Sequence, residues 1–263
     1  MIALSGLDMA RLGCTGKGGC VPLCVLLGGS IGPLPAYNSN GLWLRSPAEV
    51  AKEAVELRNE GGFQGLKLCL GRERLADDIA SIEAVREAVG SEMSIMVDFN
   101  QGLHLGEALE RCHAIDDLGP AWIEEPIVYD NLEATRAAAD LKTPVQIGEN
   151  FYGPCALYTV LQMKACDYVV PDLGGLAASQ AGNERPPSLR RQAFRFPRIS
   201  IPRLPLTFCG SVKRRTGWSG RTGQIRCCSD PMRLRMANCR FRMPGIGLEW
   251  DEKAVAAHLA DSF

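Results

Sequence analysis

Ser94-Ile95-Met96-Val97-Asp98, Trp122-Ile123-Glu124-Glu125 and Val145-Gln146-Ile147-Gly148-Glu149 are three short apolar runs, each ending on an acid. Asp98 precedes Glu124 by 26 residues, and Glu124 precedes Glu149 by 25. Helix-length segments lie between them. One is Leu105–Leu118, closed by Gly119. The other opens at the capping box Asp130-Asn131-Leu132-Glu133 and runs to about Leu141. A run of apolar residues without alternation reads as a strand covered on both faces.

The same alternation extends outward in both directions. Upstream, Leu34–Tyr37 reads as a strand. Ser46-Pro47-Ala48-Glu49 starts a helix that ends near Asn59 at Gly61-Gly62. Gly65–Leu70 is a strand, Leu75–Val89 a helix closed by Gly90, and Ser94–Asn100 the next strand. Downstream come a helix over Pro154–Lys164 and a strand over Tyr168–Asp172. Strict strand–helix alternation predicts a parallel α/β fold. With 263 residues the chain suits a (β/α)₈-type barrel, which takes roughly 250. A doubly wound sheet would place a glycine-rich phosphate loop after its first strand. Gly28-Gly29-Ser30-Ile31-Gly32 precedes a strand instead and reads as a plain turn.

In a parallel barrel every strand ends at the same mouth, where the active site is built. Three carboxylates there repel one another unless a cation sits among them. An oxygen-only set without His or Cys favours Mg²⁺ first and Mn²⁺ second. Asp98, Glu124 and Glu149 are therefore the candidate metal ligands. Strand residues alternate in direction, so Glu125 is expected to point away from the ion. Asp172 ends a fourth strand. Lys67 and Cys69, two apart, share a face of an earlier strand. A lysine beside a bound cation is expected to have a lowered pKa and to act as a base.

Composition narrows the classes. Hydrophobic residues make up 46% and charged residues 22%, which excludes global disorder. The longest apolar run, Val21–Leu27, is too short to cross a membrane. Met1–Leu12 lacks the basic start of a secretory signal, so a cytoplasmic location is expected. Eleven Cys with no CxxC pair and only three His give no zinc pattern. The net charge of −1 conceals a divide. Residues 174–240 hold thirteen Arg and one Lys against Glu184 and Asp230, a net +12, and leave −13 elsewhere. The same window holds six Pro and no His. Its four aromatics, Phe194, Phe196, Phe208 and Trp218, make no stacking platform, so nucleic-acid binding is not expected.

Gly65-Leu66-Lys67-Leu68-Cys69-Leu70-Gly71, Met96-Val97-Asp98-Phe99-Asn100-Gln101, Trp122-Ile123-Glu124-Glu125-Pro126 and Gly148-Glu149-Asn150 together resemble the enolase superfamily, most closely its mandelate racemase/muconate lactonizing subgroup. The resemblance covers about 22–173 and then Phe241–Leu259, where Met243-Pro244-Gly245-Ile246-Gly247-Leu248 is similar to the closing segment. It implies an α+β capping domain followed by a (β/α)₇β barrel. It also implies removal of the proton α to a carboxylate, with the enediolate held on Mg²⁺. On this resemblance Asp98, Glu124 and Glu149 ligate the metal, and Asn100 is a neighbouring polar group. Asp172 is the strand-end acid that normally orients a catalytic His.

The departures shape the expectation. The family's strand motif is Lys-x-Lys or a variant with another basic residue second; here Lys67 is kept and Cys69 stands second. The expected His is absent from 174–240, and the capping domain is missing from the sequence as it stands. Arg11–Cys20 departs from the helix expected there. Residues 1–173 are thus expected to form an incomplete barrel with the ligand strands. Residues 174–240 are expected to be irregular, with the composition of a shifted reading frame, and 241–263 to close the barrel. The function implied is that of a racemase or acid-sugar dehydratase acting on small 2-hydroxy carboxylates, catalytically impaired. The alternative is a non-enzymatic remnant that at most binds Mg²⁺. Relatives are commonly oligomeric, which allows a homo-oligomer.

Overall fold

The computed structural model describes residues 2–27, 31, 34–35, 37–60, 63–138, 140–170 and 172, with the pairs 238–239 and 244–245. Five parallel strands form its centre: β2 (Gly65–Cys69), β3 (Ser94–Asp98), β4 (Ile123–Glu124), β5 (Val145–Ile147) and β6 (Tyr168–Val169). They stand side by side in chain order. Each is preceded by a helix: α3 (Pro47–Asn59), α4 (Leu75–Val89), α5 (Leu105–Asp116), α6 (Leu132–Ala138) and α7 (Gly153–Met163). This is the consecutive winding of a barrel, not the reversing order of a doubly wound sheet.

The two faces of the sheet divide the labour. Leu66, Leu68, Ile95, Val97 and Ile123 are fully or almost fully buried in one cluster with Val50, Ala54 and Leu57 of α3 and Ile82 and Val85 of α4. That is the helix-covered face. Lys67, Cys69, Met96 and Asp98 alternate with those residues and so face the barrel interior. The register pairs Lys67 with Met96, Cys69 with Asp98, and Asp98 with Glu124. Polar side chains therefore gather at one end of the interior face.

Helix starts follow local chemistry. The Glu49 carboxylate accepts from both the backbone N–H and the hydroxyl of Ser46, at the start of α3. Asp78, in the first turn of α4, is completely buried. It accepts from Gly71 N–H, Arg72 N–H and the guanidinium groups of Arg72 and Arg111. The cap of α6 is Asn131 rather than Asp130, since its Oδ1 accepts from Ala134 N–H at 3.2 Å.

Several expectations are corrected. The ladders end earlier than predicted: β4 stops at Glu124, β5 at Ile147 and β6 at Val169. Glu125 (φ +38°) and Gly148 (φ +140°) turn the chain out of extended geometry. Among the described residues of 34–37, Leu34–Pro35 form strand β1, which pairs antiparallel with β7 (Asn238–Cys239). The parallel neighbour of β2 is reached later, at Asn38, which bridges to Leu66. Arg11–Gly18 lies within a long first helix, α1 (Ile2–Gly18), followed by the single turn α2 (Leu23–Leu26). Gly13 and Gly16 are tolerated in α1 because a second chain segment lies against them. Gly245 N–H donates to Val21 O at 2.9 Å, and Gly245 O accepts from Leu23 N–H at 2.8 Å. A Cβ on Gly16 would lie 2.8 Å from Gly245 Cα.

The expected closing segment is thus docked at Gly245 on the first helical layer. The irregularity expected of 174–240, apart from Asn238–Cys239, and most of 241–263 lie outside the described residues. Asn238–Cys239, inside that window, are strand. Among the described residues no helix is long and apolar enough to cross a membrane.

Two measurements test this packing. Gly245 has φ +65°, and a Cβ there would sit 2.6 Å from Gly13 O. Gly245→Ala is expected to cost at least ~2 kcal/mol, from left-handed strain plus overlap; an unchanged calorimetric melting temperature would show that Gly245 is not docked on α1. Burial pushes the thiols of Cys112 and Cys166 up to about 12, with the Asp116 and Asp167 carboxylates adding to the effect. Both folded values lie above the unfolded one, so the folded state binds more protons there. Their contribution is complete below the ordinary thiol pKa of ~8.5 and is lost as pH rises from there towards about 12. Urea midpoints measured from pH 7 to 10 should fall, and Cys112→Ala should flatten the slope.

Candidate active site

The carboxyl ends of β2, β3 and β4 converge on one ammonium. Lys67 Nζ lies 2.7 Å from Asp98 Oδ2 and 3.0 Å from Glu124 Oε1. Both acids are buried and Lys67 is nearly so. Each carboxylate is also held from its other oxygen. Asp98 Oδ1 accepts from Asn100 N–H at 2.8 Å. Glu124 Oε2 accepts from Trp122 Nε1 at 3.1 Å and Gln146 Nε2 at 3.0 Å. Trp122 in turn meets the Tyr37 ring edge-on, with centroids 5.5 Å apart.

The local field follows from this geometry. Burial alone would push Lys67 down, but Glu124 and Asp98 together raise it above its ordinary value. The lowered pKa expected of this lysine is for a bound cation beside it; the neighbours that set its direction here are the two anions. Burial raises Glu124; Lys67 opposes this and Asp98 adds to it. Burial, then the Asp98 charge, pushes the Cys69 thiol up to about 11. Burial, then Glu124, pushes the Tyr37 phenol up to about 12.

The predicted residues separate into two groups. Lys67, Asp98 and Glu124 are in direct contact, and Cys69 shares their face, buried, with its Sγ 3.8 Å from Asn100 Nδ2. Asn100 acts on Asp98 through its backbone. Glu149 stands exposed on the turn after β5, and its charge is felt by Glu124, Glu125 and Tyr37. Asp172 is exposed just past β6. Among the described residues no three His, Cys, Asp or Glu side chains are close enough together to ligate one ion. Asp98 and Glu124 meet at Lys67 Nζ, and Glu149 stands on the neighbouring turn, close enough for its charge to act on Glu124. Lys67 offsets one of the two buried negative charges, and Glu149 lies exposed on the neighbouring turn.

Glu125 is buried like Glu124, with a left-handed backbone (φ +38°), and its side-chain hydrogen bond is made away from Lys67. Its Oε2 accepts from Asn150 Nδ2 at 2.8 Å. Burial, then the Glu149 charge against the Asn150 bond, pushes it up to about 7. The sequence reading missed Tyr37, Trp122, Gln146 and Asn150. Trp122 and Gln146 carried a signal. One is two residues before Glu124 on the same face, and the other is its register partner on β5.

The donor set fits a hard divalent ion. Asp98, Glu124 and Glu149 offer only oxygen atoms, and with Lys67 they leave two formal negative charges in excess. Asp98 and Glu124 already direct one oxygen each at a single positive centre.

Residues 49–180 match the family model described as enolase C-terminal domain-like. The L-talarate/galactarate dehydratase of Salmonella typhimurium is 33% identical over 179 residues, which is 66% of this chain and 45% of that protein. The chain spans about half the length of the curated relatives it matches. A crystal structure of an enolase from alpha pretobacterium bal199 with bound magnesium is 44% identical, with a TM-score of 0.82, covering 99% of this chain and 73% of that one. An enolase from Bradyrhizobium, complexed with magnesium and mandelic acid, is 29% identical with a TM-score of 0.79, covering 97% and 71%.

Removing Lys67 leaves two buried carboxylates without their shared cation. Lys67→Met is expected to lower stability by about 3–5 kcal/mol in metal-free buffer, read from urea unfolding. A loss below ~1 kcal/mol, the scale of an exposed pair, would refute the buried triad.

Proposed function

The chain belongs to the enolase C-terminal domain-like family, and from that premise we propose that it is a Mg²⁺-dependent protein that takes small 2-hydroxy carboxylates and acts on the proton at their α-carbon, with its acid–base machinery impaired. The observation that carries this reading is the Lys67–Asp98–Glu124 cluster at the strand ends. Asp98, Glu124 and Glu149 would hold the ion. When bound, Mg²⁺ supplies positive charge that stabilises an enediolate.

The remaining chemistry belongs to the chain's own residues. Lys67, whose ammonium meets Asp98 and Glu124, offers a charged hydrogen-bond donor to a substrate oxygen. Cys69 stands on the same strand face at the base position, and at about 11 its thiol holds its proton at neutral pH. Asp172 has no His to orient in 174–240. Binding of the carboxylate is thus retained while proton removal from either face is weakened. Relatives named for acid-sugar dehydration, together with the mandelate-bound Bradyrhizobium enolase, support this substrate class. Racemase and dehydratase chemistry both begin with loss of that proton.

The test has two arms. Isothermal titration should show Mg²⁺ binding by the parent and at least tenfold weaker binding by Glu149→Gln; equal binding by both removes Glu149 from the ligand set. NMR in D₂O with mandelate and with galactarate should show no α-proton exchange above a no-enzyme control. Each general acid or base typically contributes ~10²–10⁴-fold, and both are compromised. Exchange above the control would mean the machinery is intact, and its loss in Cys69→Ser would assign it to the thiol. Absence of Mg²⁺-dependent carboxylate binding would leave the non-enzymatic reading.

A further inference from the structure

Glu125 is 1% exposed, too enclosed to touch a ligand without moving. Its backbone is fixed from two sides. Its N–H donates to Gln146 O at 2.9 Å on β5, and its C=O accepts from Gln101 N–H at 2.7 Å beyond β3. Its side chain gives one oxygen to Asn150 Nδ2 at 2.8 Å, while Oε1 is buried with no hydrogen-bond partner among the described residues. Burying an acid on these terms is costly, and an apolar side chain would fill the space more cheaply. Asn150 follows Glu149 directly, in the turn closed by Phe151 N–H to Gly148 O at 3.2 Å. The β5 ladder stops at Ile147, so this turn lies beyond its strand's own pairing.

We propose that Glu125 is a positioning residue that fixes the Glu149-bearing turn at the barrel mouth through the side-chain amide of Asn150. The part concerning metal rests on the reading of Glu149 as a ligand; the tether itself does not. Residues that orient metal ligands from behind typically change affinity by 10–100-fold when removed, without touching the ion.

The experiment uses the full chain in five forms: parent, Asn150→Ala, Glu125→Leu, the double variant, and Glu125→Gln, which keeps an acceptor oxygen. Amide exchange over 149–151 is read without metal, and Mg²⁺ affinity by isothermal titration. Asn150→Ala and Glu125→Leu should each speed exchange about tenfold and raise the Mg²⁺ Kd about tenfold. The double variant should be no worse than the worse single, since both remove one interaction. Glu125→Gln should restore both readouts to within about twofold of the parent, which a purely space-filling role would not require. Parent-like exchange in Asn150→Ala, or additive losses in the double variant, overturns the proposal. If the parent itself fails to bind Mg²⁺, the ligand reading of Glu149 falls and the exchange arm alone decides the tether. If Glu125→Leu does not fold, Asn150→Ala and Glu125→Gln decide it.

Discussion

One ammonium shared by two buried carboxylates sets the character of the barrel mouth. Lys67 reaches up its own strand to Asp98 on the next and Glu124 on the one after, so a single side chain ties three strands. In a dry interior that contact is strong only because every other oxygen is also engaged: Asp98 by the Asn100 backbone, Glu124 by Trp122 and Gln146. Trp122 in turn leans on Tyr37, which comes from the segment that bridges onto β2. Aromatic floor, acid layer and lysine form one connected arrangement across four chain segments.

The arrangement exists because the register is right. Parallel pairing places Asp98 opposite both Cys69 and Glu124 on the interior face, while Leu68, Val97 and Ile123 hold the outer face against the helices. A shift of one residue would put the acids into the helix layer and the aliphatics at the mouth, a cost no local hydrogen bond could offset. The apolar face thus fixes the polar one. At the other end of the chain order, Gly245 against α1 and Asn238–Cys239 against Leu34–Pro35 bring late sequence back to the beginning.

Much of this was legible in the sequence, for identifiable reasons. Strands buried on both faces read as unbroken apolar runs, so β2 and β3 were placed to within two residues, and Leu75–Val89 was bounded by Gly90. The acids stood out because each ends such a run. What was not legible depends on backbone angles and long-range contact. Period two describes an extended strand, and the positive φ at Glu125 ends that geometry one residue after Glu124. Helix α1 carries glycines that local propensity penalises, and it is supported by a segment more than two hundred residues away in the chain. The exposure of Glu149 could not be read at all, because residue spacing places a Cα and leaves the rotamer open.

Position 69 shows how one set of surroundings acts differently on different side chains. Its surroundings are burial and a nearby carboxylate, and those surroundings act oppositely on the charge of different side chains. For a cationic group, the carboxylates of this mouth oppose the effect of burial, as they do at Lys67. For a thiol, burial and the Asp98 charge work in the same direction, and both hold the proton on sulfur. Cys69 therefore brings neither a positive charge nor a thiolate to the mouth at neutral pH, and the Asp98 and Glu124 charges are met from this strand by Lys67.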